Sequence, residues 1–320
     1  MQPRLSIGLP VYNNEDFLAE SIEALLGQTF GDFELIISSN ASTDGTDDIA
    51  HDYARRDSRI QVFRQERNIG AAPHHDFVFR KSAAGLFKWA SGDDLYARDL
   101  LEHCVDLLSA HPEAVLAHSW TAAVDSTGTV VQAFEYPLAT DSPDPRTRLH
   151  SMLFGGDDLP GAIRADDFYG VIRSDVLRKV KPHGSFHHAD QTFMCELALH
   201  GPFVQHPDFL YFRRHHPGRA HQANPSIKSW CSNLDPRRKG PLHPTARLLA
   251  EYPLMNLAMV SRAPLSARDR RRCYLEVVRW IADRGLRRSH GEPEGAPSLD
   301  LVEPGSVPMR SLVAGQQSGS

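Results

Sequence analysis

The sequence predicts an α/β protein, a Rossmann-like sheet flanked by helices with a helical C-terminal appendage. Three observations carry this. Strand-like and helix-like segments alternate four times within about ninety residues, which calls for parallel neighbours joined by right-handed crossovers. Each of these strands runs into a polar loop, and in such a sheet all those loops open on one edge. Beyond residue 224 the composition changes: residues 237–288 hold thirteen Arg or Lys against four Asp or Glu. There Tyr274, Val277, Val278 and Ile281 form a stripe with helical spacing.

Residues 4–11 are the first expected strand, with Leu5, Ile7, Leu9 and Val11 apolar and Pro10 marking its end. A helix over 16–26 follows, its stripe being Phe17, Leu18, Ile22, Leu25 and Leu26. Residues 33–37 are apolar apart from Glu34, as suits a strand covered on both faces, and lead into the polar run from Ser38 to Thr46. A helix over 47–56 and a strand over 60–63 come next. Asn68-Ile69-Gly70-Ala71-Ala72-Pro73 then opens a helix, with Pro73 suited to its first turn. Residues 86–90 read as the fourth strand, stopped by Ser91-Gly92.

The second half predicts a helix over 100–110, a strand over 114–118 and a hairpin over 121–135 turning at Ser126-Thr127-Gly128. After a loop over 141–145, a helix over 146–154 leads to Gly155-Gly156. A strand over 168–172 and a short helix over 174–180 follow. The helix over 191–200 has Phe193, Met194, Leu197 and Ala198 on its apolar face. Residues 203–211 make another strand, and residues 212–218 a loop dense in Arg and His. Residues 289–320, rich in Gly, Pro, Ser and Glu, read as a disordered tail.

The bulk numbers narrow the classes. With 320 residues, 41% hydrophobic and 23% charged, the chain is of ordinary globular composition. Its formal charge of −5 leaves no electrostatic footprint for nucleic acid. No apolar run approaches the ~18 residues of a bilayer span. Met1-Gln2-Pro3-Arg4 enters a strand without a signal pattern. Cys104, Cys195, Cys231 and Cys273 fit neither zinc spacing nor a disulfide framework, so a reducing cytoplasm is expected. Dinucleotide, phosphate-loop, nucleophile-elbow and zinc-protease motifs are missing from the sequence.

The doublet Asp93-Asp94 would lie outside the carboxyl end of the fourth strand, where open α/β sheets bind ligands. Adjacent carboxylates repel one another, and hard oxygens there suit Mg²⁺ or Mn²⁺, which in turn grip nucleotide phosphates. Taken alone, Asp-Asp after Gly is equally ordinary turn chemistry.

The flanking sequence decides between them. Ser6-Ile7-Gly8-Leu9-Pro10-Val11-Tyr12-Asn13, Gln28-Thr29-Phe30, Phe33-Glu34-Leu35-Ile36-Ile37, Ser42-Thr43-Asp44-Gly45-Thr46, Asn68-Ile69-Gly70 and Asp93-Asp94 occur in this order. Together they resemble the family 2 glycosyltransferases of the GT-A fold, which implies a mixed sheet, over about residues 4–218 and most closely in the first 115. The resemblance implies that Pro10 and Tyr12 line a base and ribose pocket, and that Asn68 and Gly70 close over the nucleotide. Asp94 is implied as the metal-coordinating carboxylate, and Asp93 as its partner facing ribose or metal water. His216 is implied as a further ligand, and Arg213 and Arg214 as phosphate contacts. Where the family usually carries two carboxylates this chain has Ser39-Asn40, so Asn40 would read a base edge with an amide. Asp44 equally suits an Asx turn. Asp190, at the head of an expected helix, is the implied catalytic base and also a natural N-cap. Asp166 and Asp167 stand in reserve.

The expected organisation is a catalytic domain over 1–224, with nucleotide-binding residues 1–115 and acceptor-facing residues 116–224. An appendage over 225–288 and the tail over 289–320 complete it. The expected activity is inverting transfer of a sugar from a nucleotide-diphosphate sugar to a hydroxyl of a small-molecule or glycan acceptor. Mn²⁺ or Mg²⁺ would sit on the diphosphate, with no nucleic acid, no transmembrane segment and a homodimer left open. Two alternatives stay beside it: an inactive sugar-nucleotide-binding protein, suggested by Ser39-Asn40, and a metal-dependent nucleotidyltransferase.

Overall fold

The structure, a computed structural model, describes residues 2–133, 139–155 and 166–290. Alternation in β1 (Leu5–Val11) sends Leu5, Ile7 and Leu9 into one apolar layer, packed on α1 (Leu18–Leu26). β2 (Phe33–Ser39) is buried on both sides, Leu35 and Ile37 joining that layer and Ile36 the opposite one. α2 (Thr46–Arg56), β3 (Ile60–Arg64), α3 (Ala71–Lys81) and β4 (Leu86–Trp89) complete the alternation. β1, flanked by β2 and β4, pairs in parallel with both, so the crevice between the ends of β1 and β4 is the switch point of the sheet. A Cβ on Gly8 would lie 2.7 Å from both the Phe87 and Val78 side chains, so glycine there lets α3 close onto the sheet.

β5 (Leu95–Tyr96), α4 (Leu100–Ala110), β6 (Leu116–Val124), β7 (Val130–Ala133) and α5 (Pro145–Phe154) follow. Then come β8 (Val171–Arg173), α6 (Ser174–Leu177), α7 (Ala189–His200) and β9 (Phe203–Arg214). The strands run β3-β2-β1-β4-β8-β6-β9-β5, with β7 pairing β6. β8 is antiparallel to both its neighbours, which makes the sheet mixed. α8 (Ala220–Ala223), α9 (Ile227–Leu234), α10 (Thr245–Arg262) and α11 (Ala267–His290) close the described chain. α10 and α11 join α5 and α7 in a third apolar cluster built on Leu149, Tyr252, Met259, Val277 and Trp280. All four cysteines are buried and unpaired.

Several expectations are corrected. β9 does not stop at residue 211, because β6 extends to Val124 and holds it in parallel register through Arg214. Pro207 has no N–H to give, and the register slips there, between His206 and Phe209. Residues 166–169 are a 3₁₀ turn rather than strand, closed by Gly170 N–H donating to the Asp167 carbonyl. On α11 the inward residues are Cys273, Val277 and Trp280; Val278, one step of 100° from Val277, turns out to solvent. The hairpin's residues 134–135, Gly156 and the tail over 291–320 lie outside the described residues.

Candidate active site

The loops after β1 and β2 are stapled together by short polar side chains. Asn13 N–H donates to Ser42 Oγ (3.1 Å), Thr43 N–H to Asn13 Oδ1 (2.9 Å), and Asn14 N–H to Thr46 Oγ1 (2.8 Å). Asp44 accepts from Glu15 and Thr46 backbone N–H groups, both at 3.1 Å, which is its Asx-turn role. Asn40 donates through Nδ2 to Asn68 Oδ1 (3.1 Å) and accepts Ile69 N–H (2.9 Å). It is buried, and its amide ties the β2 loop to the Asn68 loop. Tyr12 is 46% exposed on this edge. Pro10 is half-buried opposite Ser38, and neither it nor Tyr12 lines the cavity described next.

That cavity, of about 200 Å³, opens beyond β4. Asp93, Asp190, Arg213 and Arg219 give it charge, Ser91 adds a hydroxyl, and His75, Phe168, His183, Trp230 and Leu234 wall it. Gly70, at φ +88°, passes so close beneath the Leu234 carbonyl that a Cβ would sit 2.5 Å from that oxygen. The residue expected to close over a nucleotide is thus covered by α9, and residues on both sides of the expected boundary at 224 share one cavity.

The two carboxylates of the doublet have different environments. Asp93 Oδ2 lies 2.9 Å from His216 Nε2 and 3.3 Å from Arg219, while Oδ1 accepts the Ser91 hydroxyl. Burial works to raise its pKa, but the Arg219 charge and the His216 and Ser91 hydrogen bonds prevail and hold it well below the usual carboxylate range. Asp94 is fully buried. It accepts Arg214 N–H (2.9 Å), Arg219 at 2.7 and 3.3 Å, and the Tyr211 hydroxyl. With its oxygens occupied this way Asp94 is held as an anchor, where the expectation had an open metal-coordinating carboxylate. Arg214 is corrected likewise. Its guanidinium donates to the carbonyls of Asp93 (2.9 Å) and Ser126 (2.8 Å) and to Glu20 (2.5 Å), turned away from any diphosphate.

Arg219, outside the expected set of site residues, is the residue that clasps the doublet. Its burial opposes the charged form, but Asp94 and Asp93 raise its pKa well above the ordinary value. Its signal is the spacing His216-x-x-Arg219, which puts both side chains on one turn after β9. Below the doublet Lys88 is buried, donates to the Tyr169 carbonyl, and lies 5.3 Å from the Tyr96 ring centre. Burial pulls its pKa down to about 8.

Asp190 is the second residue of α7, not its N-cap, and accepts Gln191 N–H at 2.9 Å. The preceding His188 sits in the left-handed region at φ +61°. Of the reserve carboxylates, Asp167 is buried 3.1 Å from His118 and does not line the cavity. The Asp166 side chain lies outside the described residues. His75 Nδ1 is 2.7 Å from the Ala71 carbonyl, which can only accept, so Nδ1 carries the proton and Nε2 is a bare acceptor. Burial lowers the His75 pKa to about 4, with His183 adding to the effect.

Residues 6–164 match the sequence model of glycosyl transferase family 2. That stretch of the chain belongs to the family. An uncharacterized glycosyltransferase, EpsJ of Bacillus subtilis (strain 168), is 33% identical over 106 residues, covering 33% of this chain and 30% of that protein. An uncharacterized glycosyltransferase of Haemophilus influenzae is 28% identical over 130 residues, 41% of this chain and 52% of that one. The chain thus spans about half the length of these relatives or less. Among solved structures, S. aureus TarS 1–349 in complex with UDP-GlcNAc gives a TM-score of 0.62 at 15% identity, over 88% of this chain and 73% of that one. Mannosyltransferase PcManGT from Pyrobaculum calidifontis, in complex with GDP-Man and Mn²⁺, gives 0.50 at 16% identity, over 92% and 77%. At such identities the likeness concerns the fold, which is of the GT-A type.

Proposed function

We propose that this chain is an inverting glycosyltransferase that moves a sugar from a nucleotide-diphosphate sugar to an acceptor hydroxyl. The observation that carries the reading is that one cavity is lined by both Asp93, past the fourth strand, and Asp190, at the head of α7. Asp190 is the base. It takes the proton of the acceptor hydroxyl as that oxygen attacks C1, and the bond from C1 to the diphosphate breaks on the opposite face. Arg213 faces the diphosphate, where a guanidinium binds phosphate oxygens in bidentate fashion. Arg219 keeps Asp93 ionised and fixed. His75 Nε2 accepts from a sugar hydroxyl, and Phe168, Trp230 and Leu234 keep water from the reacting centre.

The residues present fit a divalent cation. Asp93 Oδ2 and His216 Nε2, 2.9 Å apart, offer one hard oxygen and one imidazole nitrogen, a set that Mn²⁺ accepts well and Mg²⁺ tolerates. Among the described residues no group of three or more His, Cys, Asp or Glu encloses a cation, so the remaining ligands would be phosphate oxygens and water. Asp93, Asp94 and Arg219 together carry one negative charge, and the cation would make the site positive toward a diphosphate. When bound it would offset charge growing on the departing diphosphate. The inactive alternative, suggested by Ser39-Asn40, would bind a nucleotide diphosphate without turnover.

The test is turnover of the purified chain over a panel of UDP-, GDP- and dTDP-sugars with Mn²⁺, read as nucleotide diphosphate released. Asp190→Asn should lower turnover at least about 100-fold while the thermal shift caused by the nucleotide diphosphate persists. Asp93→Asn should abolish both. Wild-type turnover in Asp190→Asn would overturn the assignment of the base, and indifference to every donor would overturn the whole reading.

A further inference from the structure

α11 has an outward face unlike that of an ordinary solvated helix. Arg268, Arg271, Leu275, Val278, Arg279 and Ala282 recur at steps of three, four and one, which places them along one side over about 21 Å. All six are exposed, Leu275 to 69% and Val278 to 54%. The carboxylates of the same helix are turned elsewhere. Glu276 is buried against Arg146 (2.9 Å) and His150 (2.6 Å), and Asp269 is bonded to Ser266 and Arg272. Asp283 is half-buried off this face. A solvated helix intersperses both signs of charge; this face carries three arginines, two large aliphatic side chains and no acid.

We propose that this face docks on an anionic lipid bilayer, with α11 lying in the plane of the interface. Arginines interleaved with aliphatic side chains match a surface that offers negative headgroups above an acyl layer. No helix among the described residues is long and apolar enough to cross a membrane, so the contact is peripheral. A second copy of the chain is disfavoured as occupant, because a two-fold interface through this face would set arginine against arginine. An acidic protein would satisfy the arginines and leave Leu275 and Val278 without a reason. Docking here does not depend on the transfer chemistry, so it stands or falls apart from the activity.

The experiment is co-sedimentation of the full chain with vesicles of phosphatidylcholine alone or with 30% phosphatidylglycerol, at about 50 and 500 mM salt. The chain should partition onto the anionic vesicles only, and salt should release it. At about a factor of five for each basic residue near the surface, the triple variant Arg268→Gln, Arg271→Gln, Arg279→Gln should partition roughly 100-fold more weakly. Leu275→Ser with Val278→Ser should lose about tenfold at unchanged charge. These side chains are exposed, so circular dichroism and thermal unfolding should match wild type, separating lost docking from lost folding. Equal binding to neutral vesicles, unaltered partitioning of the triple variant, or no binding at all would overturn the proposal. So would a concentration-dependent dimer that the same substitutions abolish.

Discussion

Replacing Arg219 with Met removes the only cation that touches both carboxylates of the doublet among the described residues, and leaves Asp94 charged with no exposure to water. Arg219 meets Asp94 at 2.7 and 3.3 Å, Asp93 at 3.3 Å and the Arg214 carbonyl at 2.7 Å. With charge centres about 4 Å apart and an effective dielectric near 20, each charge pair is worth about 4 kcal/mol. Two pairs give about 8 kcal/mol, and the cost of burying the guanidinium takes back several. The net expectation is a loss of about 3–5 kcal/mol, the range for orphaning one partner of a buried pair. Denaturant unfolding should show this as a lower midpoint at similar slope. If the penalty lies in the stranded Asp94 charge, Asp94→Asn in the Arg219→Met background should recover part of it. A loss under about 1 kcal/mol, or a double variant weaker than Arg219→Met alone, would refute the reasoning.

Two further outcomes are expected. His74 is 2% exposed beside Ser38, and burial pushes its pKa from 6.5 down to about 3, so the unfolded chain binds the proton that the folded chain refuses. Stability should therefore be complete above about pH 6.5 and fall as the pH drops toward 4, by up to about 3 kcal/mol. Urea midpoints at pH 7.5 and 5 measure this, and equal midpoints would contradict it. Gly70→Ala should cost about 2–4 kcal/mol, since a side chain at φ +88° is strained and its Cβ would lie 2.5 Å from the Leu234 carbonyl and 2.9 Å from Asp235 Cα. Limited proteolysis of that variant should open the chain between α9 and α10; wild-type resistance there would count against the packing argument.

The first 115 residues were legible because their pattern is local. Apolar runs, helical stripes and glycine punctuation each act within a few residues, and the strands they predict form the parallel half of the sheet. What the sequence hid depends on distant partners. Nothing near Asp94 tells that Tyr211, Arg214 and Arg219, more than a hundred positions later, close around it, so the resemblance assigned it the metal and left Asp93 the lesser part. Arg213 and Arg214 looked alike for the same reason. Alternation along β9 sends one to the cavity and the other beneath the doublet. The wall made by Trp230 and Leu234 was missed because a change in composition after residue 224 resembles a domain boundary, and composition does not report docking.

The four cysteines have a practical meaning. Burial raises the Cys231 and Cys273 thiols to about 11 and the other two further still. At neutral pH fewer than about one in a thousand of these sulfurs is in the reactive thiolate form. A maleimide dye therefore finds no native target on the folded chain, and one cysteine introduced on the surface carries the fluorophore by itself. Fluorescence work can begin on the natural sequence without first stripping out its own sulfur.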